Sequence, residues 1–370
     1  SGPSGRSKDP VNTALGNFTY DHNDLRLASK GLPLQLTRFY NSQAGAEGSF
    51  GRGWTHNYNI KVSKNGTVST VTYADGHQTR FKSKGSGQYD ALAGVEEKLS
   101  NYGWPYTDTL TFKDQTKYAF DQSGRLSSII DKYGNTTSLT YVGDRLNKVT
   151  NASGQSLTFT YNGGGHISQV TDSAGRSVGY GYDPNNGLTS FTDARTKTTN
   201  YTYDSRRQLE SIKEAGAVKP IVTNVYNASG QVEQQTDAKD NVTTFSYNSQ
   251  LRETYMTNTE GEVTTHKHDG RFRLLETIDS EGEATQLGYA KLDRPEMTTS
   301  KGGVSANTSY DANGNLAQNE DPGGHKTKAG YNLANNNLLW ADDALERRTS
   351  YAYDPSGKFL ESVSTPVGTT

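Results

Sequence analysis

The chain of 370 residues contains no cysteine. That excludes disulfides, zinc–thiolate sites and a cysteine nucleophile. No run of 18 apolar residues occurs, so nothing reads as a membrane-spanning helix, and no signal-peptide pattern opens the sequence. Neither sign of charge dominates. Lys plus Arg number 38 against 40 Asp plus Glu, a net charge of -2, which leaves no electrostatic case for nucleic acid or an anionic membrane. Apolar residues are also scarce, at 31%. Scarcity alone points to disorder. Yet there are 23 Tyr, 11 Phe and 3 Trp, and disordered chains are poor in aromatics. A fold whose buried face is largely tyrosine, with Thr, Ser and Asn on the other face, reconciles the two. The lack of cysteine suits an exported protein.

What is abundant is periodic. An aromatic slot recurs at Phe120, Tyr141, Tyr161, Tyr182, Tyr203, Tyr226, Tyr247, His268, Tyr289, Tyr310, Tyr331 and Tyr353, about every 21 residues. Asp follows at 121, 183, 204, 269, 311 and 354, and Asn at 162, 227, 248 and 332. Glycine stands four positions after the slot at Gly124, Gly165, Gly230, Gly314 and Gly357. An apolar residue stands six positions after it at Leu126, Ile167, Leu188, Leu209, Val232, Leu274, Leu316 and Phe359. A second Asp-led turn follows at Asp131, Asp172, Asp193, Asp237, Asp279, Asp321 and Asp342. Asp and Asn open turns by bonding nearby backbone, and glycine supplies positive φ. Two turns in about 21 residues leave two short strands, which is one β-hairpin. Alternation such as Thr158-Phe159-Thr160-Tyr161 buries one face and wets the other. A lone hairpin is marginal, so the hairpins must stack edge to edge.

The slots Tyr182-Asp183, Tyr203-Asp204, Tyr310-Asp311-Ala312-Asn313-Gly314 and Tyr353-Asp354-Pro355-Ser356-Gly357 resemble the YD-repeat, or Rhs, family. The first hundred residues resemble the domain of unknown function that precedes such repeats. Asp9-Pro10-Val11, Gly16-Asn17-Phe18, Leu34 to Ser42 with its Arg38 and Tyr40, and Phe50-Gly51-Arg52-Gly53-Trp54 carry that likeness. The resemblance implies an all-β fold: tandem hairpins in a curved or spiralling antiparallel sheet, a partial YD shell, after a small β-rich N-terminal domain. The expected divisions are 1–8, an added remnant or flexible start; 9–113, the N-terminal domain; and 114–370, an array of about twelve hairpins.

In function, the resemblance implies a secreted or bacterial cell-surface protein, a polymorphic toxin or wall-associated repeat protein. Its shell encloses a C-terminal toxin cargo absent from this chain. Family members release that cargo with an aspartyl autoprotease at an Asp-Pro-x-Gly-Leu segment. The nearest string, Asp354-Pro355-Ser356-Gly357-Lys358, belongs to a repeat and has Lys358 in the apolar place. The autoprotease is therefore not carried over. The expectation is a fragment or short, open version of such a shell, non-enzymatic and without a cofactor. About twelve hairpins suggest a partly wound sheet whose free terminal edge invites self-association.

Candidate chemistry competes with this scaffold reading. His266 and His268 share a strand face and are the best metal candidates. Both also fall on aromatic positions of the repeat, which favours packing. The aspartates suggest acid pairs for a polysaccharide-acting enzyme, but their spacing makes them turn openers. Gly163-Gly164-Gly165 lacks the lysine and helix of a phosphate cradle. Trp104 and Trp340 are candidate sugar-stacking residues for a surface glycan-binding or adhesion module. Arg38, Tyr40, Gly51, Gly53 and Trp54 are either a binding surface or the core and turns of the N-terminal domain.

Overall fold

The computed structural model describes residues 10–369, except 30, 46, 92–94, 102–107, 291–292 and 301. Among the described residues every named element is a β-strand and every strand pair is antiparallel. Each repeat is a hairpin, and most of the hairpins are closed by an Asx turn. At Asp172 the backbone N–H donates to the Arg176 carbonyl at 2.9 Å. The Asp172 carboxylate accepts the N–H groups of Ala174 and Arg176 at 2.9 and 3.0 Å. The same pattern recurs at Asp131, Asp193, Asp237, Asp311 and Asp343.

Between turns the strands alternate as the sequence predicts. Leu157 and Phe159 are buried while Thr158 and Thr160 are exposed. Buried aromatics lie two residues before the slot at Phe159, Tyr180, Tyr201 and Phe245, and the first slot residue, Phe120, is itself fully buried. The slot tyrosines are half-buried at the hairpin rim. A β-bulge enters nearly every hairpin at the slot, as at Thr160/Tyr161, Gly181/Tyr182 and Ser309/Tyr310. Each bulge adds right-handed twist at the same place. Repetition therefore coils the sheet.

The coiled sheet closes into a barrel. One antiparallel bridge, Lys61↔Arg125, returns its first strand to the turn before Leu126–Ile130. The curved or spiralling antiparallel sheet expected from the repeats is thus observed, and it is longer than the repeat array. The strands Lys61–Asn65, Val68–Thr72, Gln78–Gly85, Gln88–Ala91, Lys98–Ser100 and Asp108–Thr111 extend the same sheet, although residues 9–113 were assigned to a separate domain. Later hairpins stack on earlier ones. Lys113 Nζ donates to the Gly314 carbonyl at 2.7 Å, Gln115 Nε2 to Asn335 at 2.8 Å, and Asn336 Nδ2 back to Lys113 at 3.0 Å. These pairs are 201, 220 and 223 residues apart, so one winding takes about ten repeats.

A three-stranded sheet, Thr19–Leu27, Leu34–Asn41 and Trp54–His56, packs on the buried face of the coil. Its Leu36, Tyr40 and Trp54, with the flanking Phe18 and Phe50, join Val149, Leu157, Val170, Leu188, Phe191, Leu209 and Val232 in one core. Burying each such side chain stabilises the fold by about 1.5–3 kcal/mol. The buried apolar core ends at Phe245. From Tyr289 to Tyr353 the same face is only half-buried.

Candidate functional site

The slot tyrosines carry a bond that their half-burial does not suggest. Oη of Tyr161, Tyr182, Tyr203, Tyr247 and Tyr310 donates to the carbonyls of Leu146, Ile167, Leu188, Val232 and Pro295, at 2.7–2.9 Å. Tyr141, Tyr226 and Tyr289 do the same to Leu126, Leu209 and Leu274. The acceptor sits just after the previous slot's turn. There the two neighbouring strands have ceased to pair: the ladder between 167–172 and 177–182 ends at Gln169↔Gly179, two residues short of Ile167. The phenol supplies the missing donor. Burial raises the hydroxyl pKa of Tyr141, Tyr161, Tyr182, Tyr203, Tyr226, Tyr247 and Tyr289, in Tyr161 to about 12, so they remain donors. Among the described residues Tyr331 and Tyr353, whose face is the more exposed, make no O–H···O=C bond of this kind.

His268 follows the same rule. Its Nδ1 lies 3.2 Å from the Arg252 carbonyl, the bond a slot tyrosine would make. His266 Nδ1 and His268 Nε2 both approach Oγ1 of fully buried Thr13, at 2.9 and 3.2 Å. One neutral arrangement satisfies all four atoms: His266 donates to Thr13, Thr13 donates to His268, and His268 donates to Arg252. Burial lowers both imidazole pKa values, to about 4 in His266, where the neighbouring His268 adds to the effect. No group of three or more His, Cys, Asp or Glu able to hold a metal exists among the described residues.

The N–H groups beside these carbonyls are taken by the N-terminal segment. Ile167 N–H donates to Ser49 and Val232 N–H to Gly16, each at 2.8 Å. Leu209 N–H donates to Tyr40 Oη at 2.8 Å. Trp54 Nε1 donates to Tyr203 Oη at 2.8 Å. Gly51 and Gly53 have φ of 90° and 79°, and a Cβ on Gly51 would stand 2.4 Å from the Asn186 carbonyl oxygen. These glycines let the segment lie directly on the hairpin turns.

Arg38 forms the centre of that interface. It is fully buried and bonds Asp24 through Nε and Nη2. Tyr180 Oη donates to Asp24 at 2.6 Å, and Arg38 Nη2 reaches Tyr201 Oη at 3.2 Å. Five rings surround the guanidinium, from Phe191 at 4.6 Å to Phe50 at 5.9 Å. Burial opposes charge on both partners, yet each outweighs it for the other: Arg38 lowers the Asp24 pKa and Asp24 raises that of Arg38. Arg38 Nη1 has no hydrogen-bond partner among the described residues.

The candidate sugar-stacking tryptophans fare differently. Trp104 lies outside the described residues. Trp340 lies against Gly330, whose added Cβ would stand 2.2 Å from the indole nitrogen, and the Arg348 guanidinium lies 4.0 Å from the ring centroid. Sequence reasoning missed Thr13, Asp24 and the tyrosine–carbonyl bonds. One signal was available. A cation four or five residues after a slot, as at Arg125, Arg145, Arg273 and Arg294, recurs in the sequence. In the fold it lies over the next slot's ring at 4.4–5.4 Å.

Two family profiles match the chain, Teneurin YD-shell over residues 145–301 and Domain of unknown function (DUF6531) over residues 8–81. The tRNA nuclease WapA of Bacillus subtilis (strain 168) is 31% identical over 140 residues, which is 38% of this chain and 6% of that protein. The tRNA3(Ser)-specific nuclease WapA of Bacillus spizizenii matches at the same identity and coverage. The chain thus spans about 6% of the length of these relatives. Among solved structures, TcdB2-TccC3 without its hypervariable C-terminal region aligns over 95% of this chain and 23% of that one, at 12% identity and TM-score 0.45. The Photorhabdus luminescens Tc holotoxin pore aligns over 95% and 22%, at 12% identity and TM-score 0.46. On its repeats, its coiled hairpin sheet and its two profile matches, the chain belongs to the Rhs, or YD-repeat, family.

Proposed function

We propose that the chain is a non-catalytic wall segment of an exported or surface-borne bacterial Rhs shell, enclosing a toxin cargo carried elsewhere in the full polypeptide. One observation carries this reading. The buried face of the coil is continuous from hairpin to hairpin, and its first part is already filled by the N-terminal sheet. A face that packs protein over one stretch is suited to hold protein over the next, from Tyr289 to Tyr353.

The relatives named as tRNA nucleases make a nuclease the first cargo to consider. The match spans 6% of those proteins, and the reading assigns no nuclease residue to this chain. A glycan-binding or adhesion module has less behind it, because Gly330 and Arg348 occupy the surroundings of the Trp340 ring. A polysaccharide-acting enzyme has less still, since the aspartates are engaged in turns.

The full-length gene product tests the reading. Any domain downstream of the repeats should resist protease in the intact protein. It should become susceptible when Lys113→Glu and Asn336→Asp weaken the stacking of windings. Equal cleavage before and after would overturn the proposal.

A further inference from the structure

A cavity of about 360 Å³ lies where the N-terminal segment meets the first repeats, and neither the packing nor the repeat pattern accounts for it. His56, Tyr58 and Lys61 line it from the N-terminal side; Arg125 and Arg145 line it from the hairpin turns, and Glu47 shares it. The size falls within the range of small-molecule sites.

The donors are unevenly engaged. Arg125 is held by Asp121 and by the Gly143 carbonyl. Lys61 and Arg145 make no ion pair among the described residues. Arg145 instead lies 5.4 Å from the Tyr161 ring centroid, which leaves its N–H edge free. His56 is 4% exposed. Its Nδ1 accepts the Tyr58 N–H at 3.3 Å, which places the proton on Nε2. Among the described residues no group pairs with that Nε2–H, although it belongs to a nearly fully buried side chain lining the cavity. Burial lowers the imidazole pKa to about 4, so His56 is a neutral donor at physiological pH. Glu47 adds an acceptor, held at 3.4 Å from His166 Nε2. Asp144, the other carboxylate of the cavity, stands fully in solvent.

Two free cations, a forked guanidinium among them, match a carboxylate or phosphate. The imidazole N–H and the Glu47 carboxylate match hydroxyl groups. We propose that this cavity binds a small hydroxylated anion, the shared chemistry of a sugar acid and a sugar phosphate, through Lys61 and Arg145 at the anionic group and His56 and Glu47 at the hydroxyls. The site takes residues from both the N-terminal segment and the hairpins. A bound ligand therefore ties the two together and raises the unfolding temperature of the chain.

Isothermal titration of the intact chain with glucuronate, glucose 6-phosphate, glucose and inorganic phosphate tests this. At least one of the two anionic sugars should bind at least tenfold tighter than both glucose and inorganic phosphate; which one does identifies the anionic group. K61E and R145E alter surface side chains, so both variants should unfold at the temperature of the parent protein without ligand. Each should weaken that binding at least tenfold and abolish the ligand-induced thermal shift. Binding of glucose or inorganic phosphate as tight as that of either sugar anion would overturn the proposal. So would no binding of any probe, or affinity unchanged in both variants.

Discussion

Tyr182 donates its hydroxyl to the carbonyl of Ile167 at 2.7 Å, across the gap where two hairpins have stopped pairing. The family's defining tyrosine is thus a donor as much as an apolar residue. Phenylalanine would fill the same space and leave a carbonyl without its partner. In Tyr182→Phe that loss should cost about 1–2 kcal/mol, read as a lower urea midpoint with unchanged slope. Tyr289→Phe, on the more open part of the face, should cost less because water reaches its carbonyl. Parent-like stability in Tyr182→Phe would show that the hydroxyl is dispensable.

Arg38 and Asp24 form a buried ion pair inside five aromatic rings. Removing one charge strands the other, so Arg38→Met or Asp24→Leu alone should each destabilise by about 3–5 kcal/mol. The double variant should lose far less than the sum, because no uncompensated charge remains. A double-mutant cycle by denaturant unfolding checks this; additive losses would rule out direct coupling.

Stability should fall with acid between pH 6.5 and about 4. His56 and His266 have folded pKa values near 4, below the ordinary 6.5, because burial disfavours the imidazolium. The unfolded chain binds more protons in that window, so stability rises with pH through it. The contribution is fully present above pH 6.5 and is lost as pH falls towards 4. The equivalent position in other repeats is Tyr180, Tyr201 or Tyr351. His266→Tyr should flatten the profile measured by denaturant midpoints from pH 7 to 4.5. An unchanged slope would remove His266 from the account.

Thr196 adopts φ of 62° at the turn position where other repeats place glycine. Left-handed backbone costs a residue with a side chain about 1–2 kcal/mol, and part of that returns as extra freedom of glycine in the unfolded chain. Thr196→Gly should therefore stabilise by about 0.5–1 kcal/mol, visible as a higher thermal midpoint. A lower midpoint would mean that the Thr196 side chain contributes more than its backbone strain costs.

Much of this fold was legible in the sequence. The slot, the Asx turns at Asp131 and Asp172, and the alternation around Phe159 are local, and their physics needs no distant partner. His268, which stands in an aromatic slot of the repeat, makes the bond of a slot tyrosine. What occupies the space between the two imidazoles is Thr13, more than 250 residues away, and no periodicity points to it. Asp24 was invisible for the same reason. It lies in a non-repeating strand and acquires meaning only when Arg38 and Tyr180 meet it.

The sequence by itself determined the hairpin, its two turns and its stacking, because each rests on residues within one repeat or the next. Tertiary structure decided the closure of the sheet, the winding of about ten repeats and the seat of the N-terminal segment. Twist accumulates over hairpins whose bulges are set by backbone geometry. The open N–H groups of Ile167, Leu209 and Val232 become docking points only once that accumulated twist has brought Ser49, Tyr40 and Gly16 beside them.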